Sequence, residues 1–170
     1  MFDADKIIYE LERNKEIIYN LLKGTHESEY QYSEDKDKWS LLKVICHLRD
    51  EEVEDFRERV RSTLDDPLQS LKPIDPLGWV ASRNYSDQDF NEVLEDWKSE
   101  RERSIIWLKA LEAPQWNNAY LHQKFGPMSA KLFLCNWLSH DYHHIRQILT
   151  IKRAYIIEST GESLRYAGNW

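Results

Sequence analysis

Residues 129–154, SAKLFLCNWLSHDYHHIRQILTIKRA, decide the fold. Phe133, Trp137, Ile148 and Ile151 share one face at about 100° per residue, and His140 and His144 fall on that same face. The run is apolar almost all round, the pattern of the most buried helix in a bundle. Ser129 supplies a start, and the spacing predicts a helix from there to about Ala154.

Working back toward the N-terminus, three more helices follow from the same periodicity. The first spans about Asp3 to Lys23, with Ile7, Leu11, Ile18, Leu21 and Leu22 on one stripe and Gly24 as a stop. The second runs from about Leu41 to Leu64 behind an N-cap at Ser40, its core side formed by Leu41, Val44, Ile45, Leu48, Phe56 and Val60. The third starts after Ser86-Asp87 and reaches about Glu112, with Phe90, Val93, Leu94, Trp97, Ile105, Leu108 and Leu111 inward. Between the second and third lies DDPLQSLKPIDPLGWVASRNYS, long enough for a crossover connection and rich in proline. The second and third helices are therefore expected to run parallel, joined by structureless chain. A short extended segment or turn is expected near Gly126-Pro127, and an irregular tail after the last helix. The expected fold class is all-α, a four-helix bundle forming one domain over residues 1–170.

The 170 residues carry 23 Lys+Arg against 30 Asp+Glu, a net charge of −7 with no basic block, so the footprint of a nucleic-acid binder is missing. No apolar run approaches a membrane span and the first residues show no apolar signal segment, so the expected setting is cytoplasmic. Cys46 and Cys135, far apart, read as buried reduced thiols. Aromatic residues make up 12% of the chain, enough to line a pocket as well as a core.

Imidazoles at i and i+4 point the same way and can grip one cation. Two bare rings on a buried face otherwise need partners for their ring nitrogens, at a cost of about 1–3 kcal/mol each if left without. The alternative is a pair of core histidines hydrogen-bonded to other side chains. His47, at the edge of the second helix's stripe, is a candidate third ligand from a second helix. Asp50, Glu51 or Asp141 is placed to orient a ligating ring. His143 projects about 100° from His144 and is not expected to share its metal. His122, in the loop ahead of the last helix, is a candidate for the mouth of the site.

Charge also projects inward. Glu52 falls on the stripe of Ile45, Leu48 and Phe56, and Arg101 lies between Trp97 and Leu108. Buried charges are costly unless paired, so Glu52 and Arg101 are expected to meet or to line a polar cavity, which makes them candidate catalytic residues. Asn14 adds a third polar group on an apolar stripe.

KWSLLKVICHLRDEE (38–52), the RNYS that ends at residue 86, FGPMSAKLFLCNWLSHDYHHIRQI (125–148) and the closing YAGNW together resemble the DinB/YfiT-like superfamily of metal-dependent enzymes. The resemblance spans most of the chain. Its most specific part is the H-x2-HH-x2-Q run combined with Trp-Ser and His-Leu eight residues on. It implies an up-down-down-up bundle, commonly a homodimer, with one divalent metal, zinc or nickel, held by His47, His140 and His144. Members with known activity include S-transferases that use low-molecular-weight thiols and a thiol-dependent isomerase. The leading expectation is thus a thiol-dependent S-transferase acting on a small electrophile, with a low-molecular-weight thiol as second cofactor. In this picture the substrate lodges against Trp79, Trp137 or neighbouring aromatics. The alternatives are a metal-dependent hydrolase and a non-catalytic metal- or ligand-binding stress protein, the last with an acid such as Glu51 as fourth ligand. Small-molecule substrates, and neither nucleic acid nor membrane, are the expected partners.

Overall fold

A computed structural model describes residues 1–168, so the last two residues of the YAGNW segment lie outside the described residues. The chain is mostly helical. α1 (Ala4–Leu22) starts where Asp3 caps the Lys6 amide, and Gly24, at φ +73°, follows its end. After the short α2 (Glu27–Tyr30) comes α3 (Leu41–Glu51), capped by Ser40 on the Lys43 amide as its sequence suggests. α3 continues through a π-helical segment (Glu52–Arg57) into α4 (Glu58–Asp65), making one long rod with an irregular middle.

The connection expected to be structureless contains α5 (Pro76–Ser82) and a 3-10 turn at Tyr85–Asp87. Asp75 caps α5 by accepting from the Gly78 amide, and Pro76 occupies the first helical turn, where its missing N–H costs nothing. α6 (Phe90–Lys109) is capped by Asp89 rather than by the Ser86-Asp87 pair, which is spent on the 3-10 turn. Near Gly126-Pro127 the chain forms a two-stranded antiparallel hairpin of β1 (Ala119–His122) and β2 (Gly126–Ser129). α7 (Ala130–Thr160) starts at the Ser129 cap and runs to Gly161 at φ +70°, about 1.7 turns beyond the expected end. Tyr155, Ile156 and Ile157 carry it on.

α7 is not the most buried helix. Leu132, Tyr142 and Ile156 are exposed along it, whereas nine of the eleven residues of α3 are buried. α3 is enclosed because α6, α5 and the 3-10 turn all pack on it, while α7 presents one face to a cleft.

The apolar interior has two parts. One gathers Ile18, Leu22, Leu48, Trp97 and Ile148; the other gathers Ile8, Leu11, Phe56, Ile105 and Trp137. Each long helix passes from one to the other at a polar residue. Asn14 lies between Leu11 and Ile18, Glu52 between Leu48 and Phe56, Arg101 between Trp97 and Ile105, and Asp141 between Trp137 and Ile148. These four side chains form a buried belt. Arg101 donates from Nε to Glu52 (2.9 Å), from both terminal nitrogens to Asp141 (2.7 and 2.8 Å) and to the Leu11 carbonyl (3.3 Å). Asn14 donates to Asp141 and Trp137 Nε1 donates to Glu52. Burial works against the charge of Arg101, but Asp141 and Glu52 more than offset it, holding the guanidinium above its usual pKa.

Contacts between rods run in order. Lys15 meets Glu102, Tyr19 meets Glu95 and Glu12 meets Lys109 between α1 and α6. Between the α3–α4 rod and the chain that includes α6, Arg49 meets Gln88 and Arg57 meets Glu100 and Ser104. Asn14 meets Asp141 and Glu29 meets Lys152 between the N-terminal helices and α7. Among the described residues no helix is long and apolar enough to cross a membrane.

Candidate metal centre

α3 and α7 bring three imidazoles together. His47 Nε2 lies 3.2 Å from His140 Nε2, which lies 2.9 Å from His144 Nε2. Four nitrogen or oxygen ligands at about 2.0–2.1 Å in a tetrahedron stand about 3.3 Å apart, so the spacing is close to that of donors around one small cation. These three residues form the group of metal-ligating type among the described residues. Glu51, one turn beyond His47 on α3, places Oε2 2.9 Å from His140 Nε2 and 3.5 Å from His47 Nε2.

Ring orientation has an identifiable cause. Gln147 Oε1 lies 2.7 Å from His144 Nδ1, and a carbonyl oxygen can only accept, so Nδ1 donates and the Nε2 lone pair faces the other rings. Trp39 meets His47 edge-on at 5.0 Å and Phe56 lies 4.8 Å from His140, walling the rings from either side. Burial holds the His47 pKa down to about 4, partly opposed by Glu51. Burial, then the neighbouring rings, takes His144 down to about 2. Both rings are therefore neutral near neutral pH, the form that ligates metal.

The donor set fits a divalent cation. A neutral imidazole has one N–H, and three Nε2 atoms that face one another cannot all be satisfied by mutual hydrogen bonds. Charge points the same way. The buried Glu51 carboxylate faces the rings, 2.9 Å from His140 Nε2, and a dication held there would offset it.

The rings open into a cleft of about 1030 Å³, lined on α7 at positions from Phe133 to Ala154 and on the facing rod at His47, Glu51, Asp55, Phe56 and Arg59. The π-helical segment explains that second set. On a regular helix Arg59 projects about 120° from His47. Bonds closing five residues apart turn the chain less per residue, and Arg59 stays on the cleft face with Glu51.

Several expected site residues sit elsewhere. Glu52 and Arg101 meet, as expected, but are 1% exposed in the belt and do not line the cleft. Asp50 does not orient a ring; it accepts from Tyr85 Oη (2.7 Å) and pairs with Arg83 (2.8 Å). Asp141 faces Arg101 instead of the imidazole next to it in sequence. Trp79 lies under Arg83, its ring centroid 4.1 Å from the guanidinium carbon, and Trp137 is buried, so neither lines the cleft. The aromatic walls are Tyr32, Trp39, Phe56, Phe125 and Phe133. His143 is exposed on the rim. His122 reaches the mouth of the cleft from the hairpin, with Nδ1 accepting from the Lys124 and Phe125 amides. Cys46 is buried, its thiol pushed up to about 12 by burial, and faces the Tyr85 carbonyl; Cys135 is half-buried. Gln147 and Arg59 are the functional candidates that sequence reasoning missed. Gln147 stood in the H-x2-HH-x2-Q run without a role.

The DinB superfamily model matches residues 10–148. The solved structure of YfiT from Bacillus subtilis, described as a probable metal-dependent hydrolase with an unusual four-helix bundle topology, superposes with a TM-score of 0.78 at 20% identity. The match covers 89% of this chain and 86% of that one. At that identity the likeness establishes the fold, a four-helix bundle. No curated protein sequence matches the chain.

Proposed function

We propose that this chain, which belongs to the DinB superfamily, is a divalent-metal-dependent enzyme acting on a small molecule in the cleft, with hydrolysis as its reaction. The observation that carries the reading is the convergence of three Nε2 atoms beside the Glu51 carboxylate at the wall of an open cleft. His47, His140 and His144 hold the cation, zinc or nickel by the nitrogen-rich donor set. A bound dication supplies a Lewis acid and lowers the pKa of whatever it binds. Gln147 keeps the His144 lone pair turned inward. Glu51 accepts the proton of the attacking nucleophile, since its carboxylate lies at the ring cluster and lines the cleft. Trp39 and Phe56 limit water at the rings.

Thiol transfer is the second reading. It is favoured by a cleft that extends along α7 on both sides of the rings, leaving room for two reactants. Assays of ester and amide panels with and without a low-molecular-weight thiol separate the two. Metal analysis of tag-free protein tests their common premise. Retained zinc or nickel, a melting temperature raised by added metal, and loss of both effects in H140A and H144A are the expected results. Protein that holds no metal and gains no stability from it sinks the reading. Bound metal with Glu51 as fourth ligand, no exchangeable water and no turnover replaces the enzyme with a binding protein.

The remaining assignments are proposals of the same kind. The order up-down-down-up is supported by the paired contacts, in which partner numbers rise together from Asn14–Asp141 on α1 to Glu29–Lys152 on α2 against α7, and move oppositely between α1 and α6. One domain, a homodimer and a cytoplasmic setting are proposed with it, the last from two free thiols. The net charge of −7 speaks against nucleic acid as a partner.

A further inference from the structure

The cleft is longer than the three rings require. Its lining on α7 runs from Phe133 to Ala154, about 31 Å of helix, with His140 and His144 in the middle stretch. The arm toward Phe133 is bounded by Phe56, Phe133, the hairpin's Phe125 and Arg59. Arg59 is the cation of this arm. Its side chain is 19% exposed, its Nε is taken by Asp55, and its guanidinium carbon lies 5.9 Å from the centroid of the Phe133 ring. Neither terminal nitrogen has a hydrogen-bond partner among the described residues.

A guanidinium that gives only Nε to its own protein presents two parallel donors in the geometry that fits a carboxylate. Burial weakens hydration of that charge and holds the Arg59 pKa below its usual range, with Glu51 and Tyr120 working the other way. Glu51 is engaged with His140 and does not reach Arg59 with a hydrogen bond. Phe56 and Phe133 offer apolar surface on the way from Arg59 to the rings, Phe56 touching both the arm and His140.

We propose that this arm seats the acidic end of an elongated substrate, its carboxylate on the terminal nitrogens of Arg59 and its apolar or aromatic body against Phe56 and Phe133. The reacting bond then falls at the rings, a placement that rests on the metal-centre reading above. The substrate class is an acid with an apolar body, and the π-helical segment is what keeps its anchor on the cleft side.

The test uses the full chain, zinc-loaded and chelator-treated, with 4-phenylbutanoate and its neutral amide as probes, binding followed by calorimetry. Wild type is expected to bind the carboxylate about tenfold more tightly than the amide in both metal states. R59M is expected to bring the two within about twofold, chiefly by weakening the carboxylate about tenfold. R59Q, which keeps amide donors but no charge, is expected to lose the preference as well and covers a methionine variant that does not fold. No preference in wild type, a preference unchanged in both variants, or no binding of either probe overturns the proposal. A carboxylate preference that appears only with zinc also overturns it, placing the anion on the metal and upholding the metal centre. An Arg59-dependent preference in protein that binds no zinc upholds the anion site and sinks the metal centre instead.

Discussion

Gln147 Oε1 stands 2.7 Å from His144 Nδ1, one turn along α7, and so determines which nitrogen of that ring faces His47 and His140. A ligand's outer hydrogen bond sets its tautomer and raises its basicity, and loss of such partners costs about 10–100-fold in metal affinity. Q147L is expected to weaken zinc or nickel binding in that range and to cost the metal-free protein about 1–3 kcal/mol, because the buried His144 Nδ1 loses its partner. Competition against a chromophoric chelator measures it; wild-type affinity in Q147L refutes the role.

Arg101 pairs with two buried carboxylates, Glu52 and Asp141, at once. Removing one partner of a buried ion pair costs about 3–5 kcal/mol because a charge is left uncompensated. R101M is expected to lose at least that much, whereas E52Q, which keeps an acceptor for Trp137, loses less. Urea denaturation of both variants gives the comparison. Equal losses would show that charge does not dominate the belt.

The pH dependence follows from the neutral rings. The His47 pKa falls from 6.5 in the unfolded chain to about 4 in the fold, so between those values the unfolded chain binds more protons. Stability of the metal-free protein is therefore full above about pH 6.5 and is lost as pH falls toward 4. For His47 alone the loss between about pH 7 and pH 5 is on the order of 2 kcal/mol, and His144 adds to it in the same direction. Urea midpoints at the two pH values, in wild type and H47F, check this. A midpoint that does not move with pH contradicts buried neutral rings.

Glu51 is the carboxylate of the cleft nearest His140. If it takes a proton in the reaction, E51Q is expected to lower kcat/KM by about 10²–10⁴ with metal content retained. If it is a fourth ligand, the same variant lowers metal affinity instead. Metal analysis alongside turnover on the best substrate of the panel separates the two.

Much of this was legible in the sequence, and the misses have physical causes. Helical periodicity was enough to place His140 and His144 on an inward face, and the cost of buried charge was enough to bring Glu52 to Arg101. The same reasoning reaches Asp141, which follows Trp137 by four residues and precedes Ile148 by seven, but its neighbour His140 suggested a ring-orienting role instead. Arg59 was hidden because a straight projection assumes regular turns, and the π-helical segment breaks that assumption. The Asp89 cap was missed because Ser86-Asp87 offers the same chemistry three residues earlier, and only tertiary packing of the 3-10 turn selects between them. Trp79 and Trp137 were expected as pocket walls, but the Arg83 contact that holds Trp79 elsewhere and the burial of Trp137 depend on partners that no local pattern reveals.

Glu51 and Glu52 are neighbours in sequence, yet one faces the rings and the other is tied to Arg101 and Trp137. The backbone that carries the imidazoles is thereby bolted to the interior by a network that owes nothing to metal. In small zinc domains the ion is the folding energy, and its removal melts the structure. Here the belt and the two apolar clusters position the rings without an ion, so a cation bound at the proposed centre would meet donors already in place. Exchange of one metal for another at the proposed centre would then be a substitution at a rigid seat rather than an unfolding and refolding of the chain, and availability in the cell would decide which ion it carries.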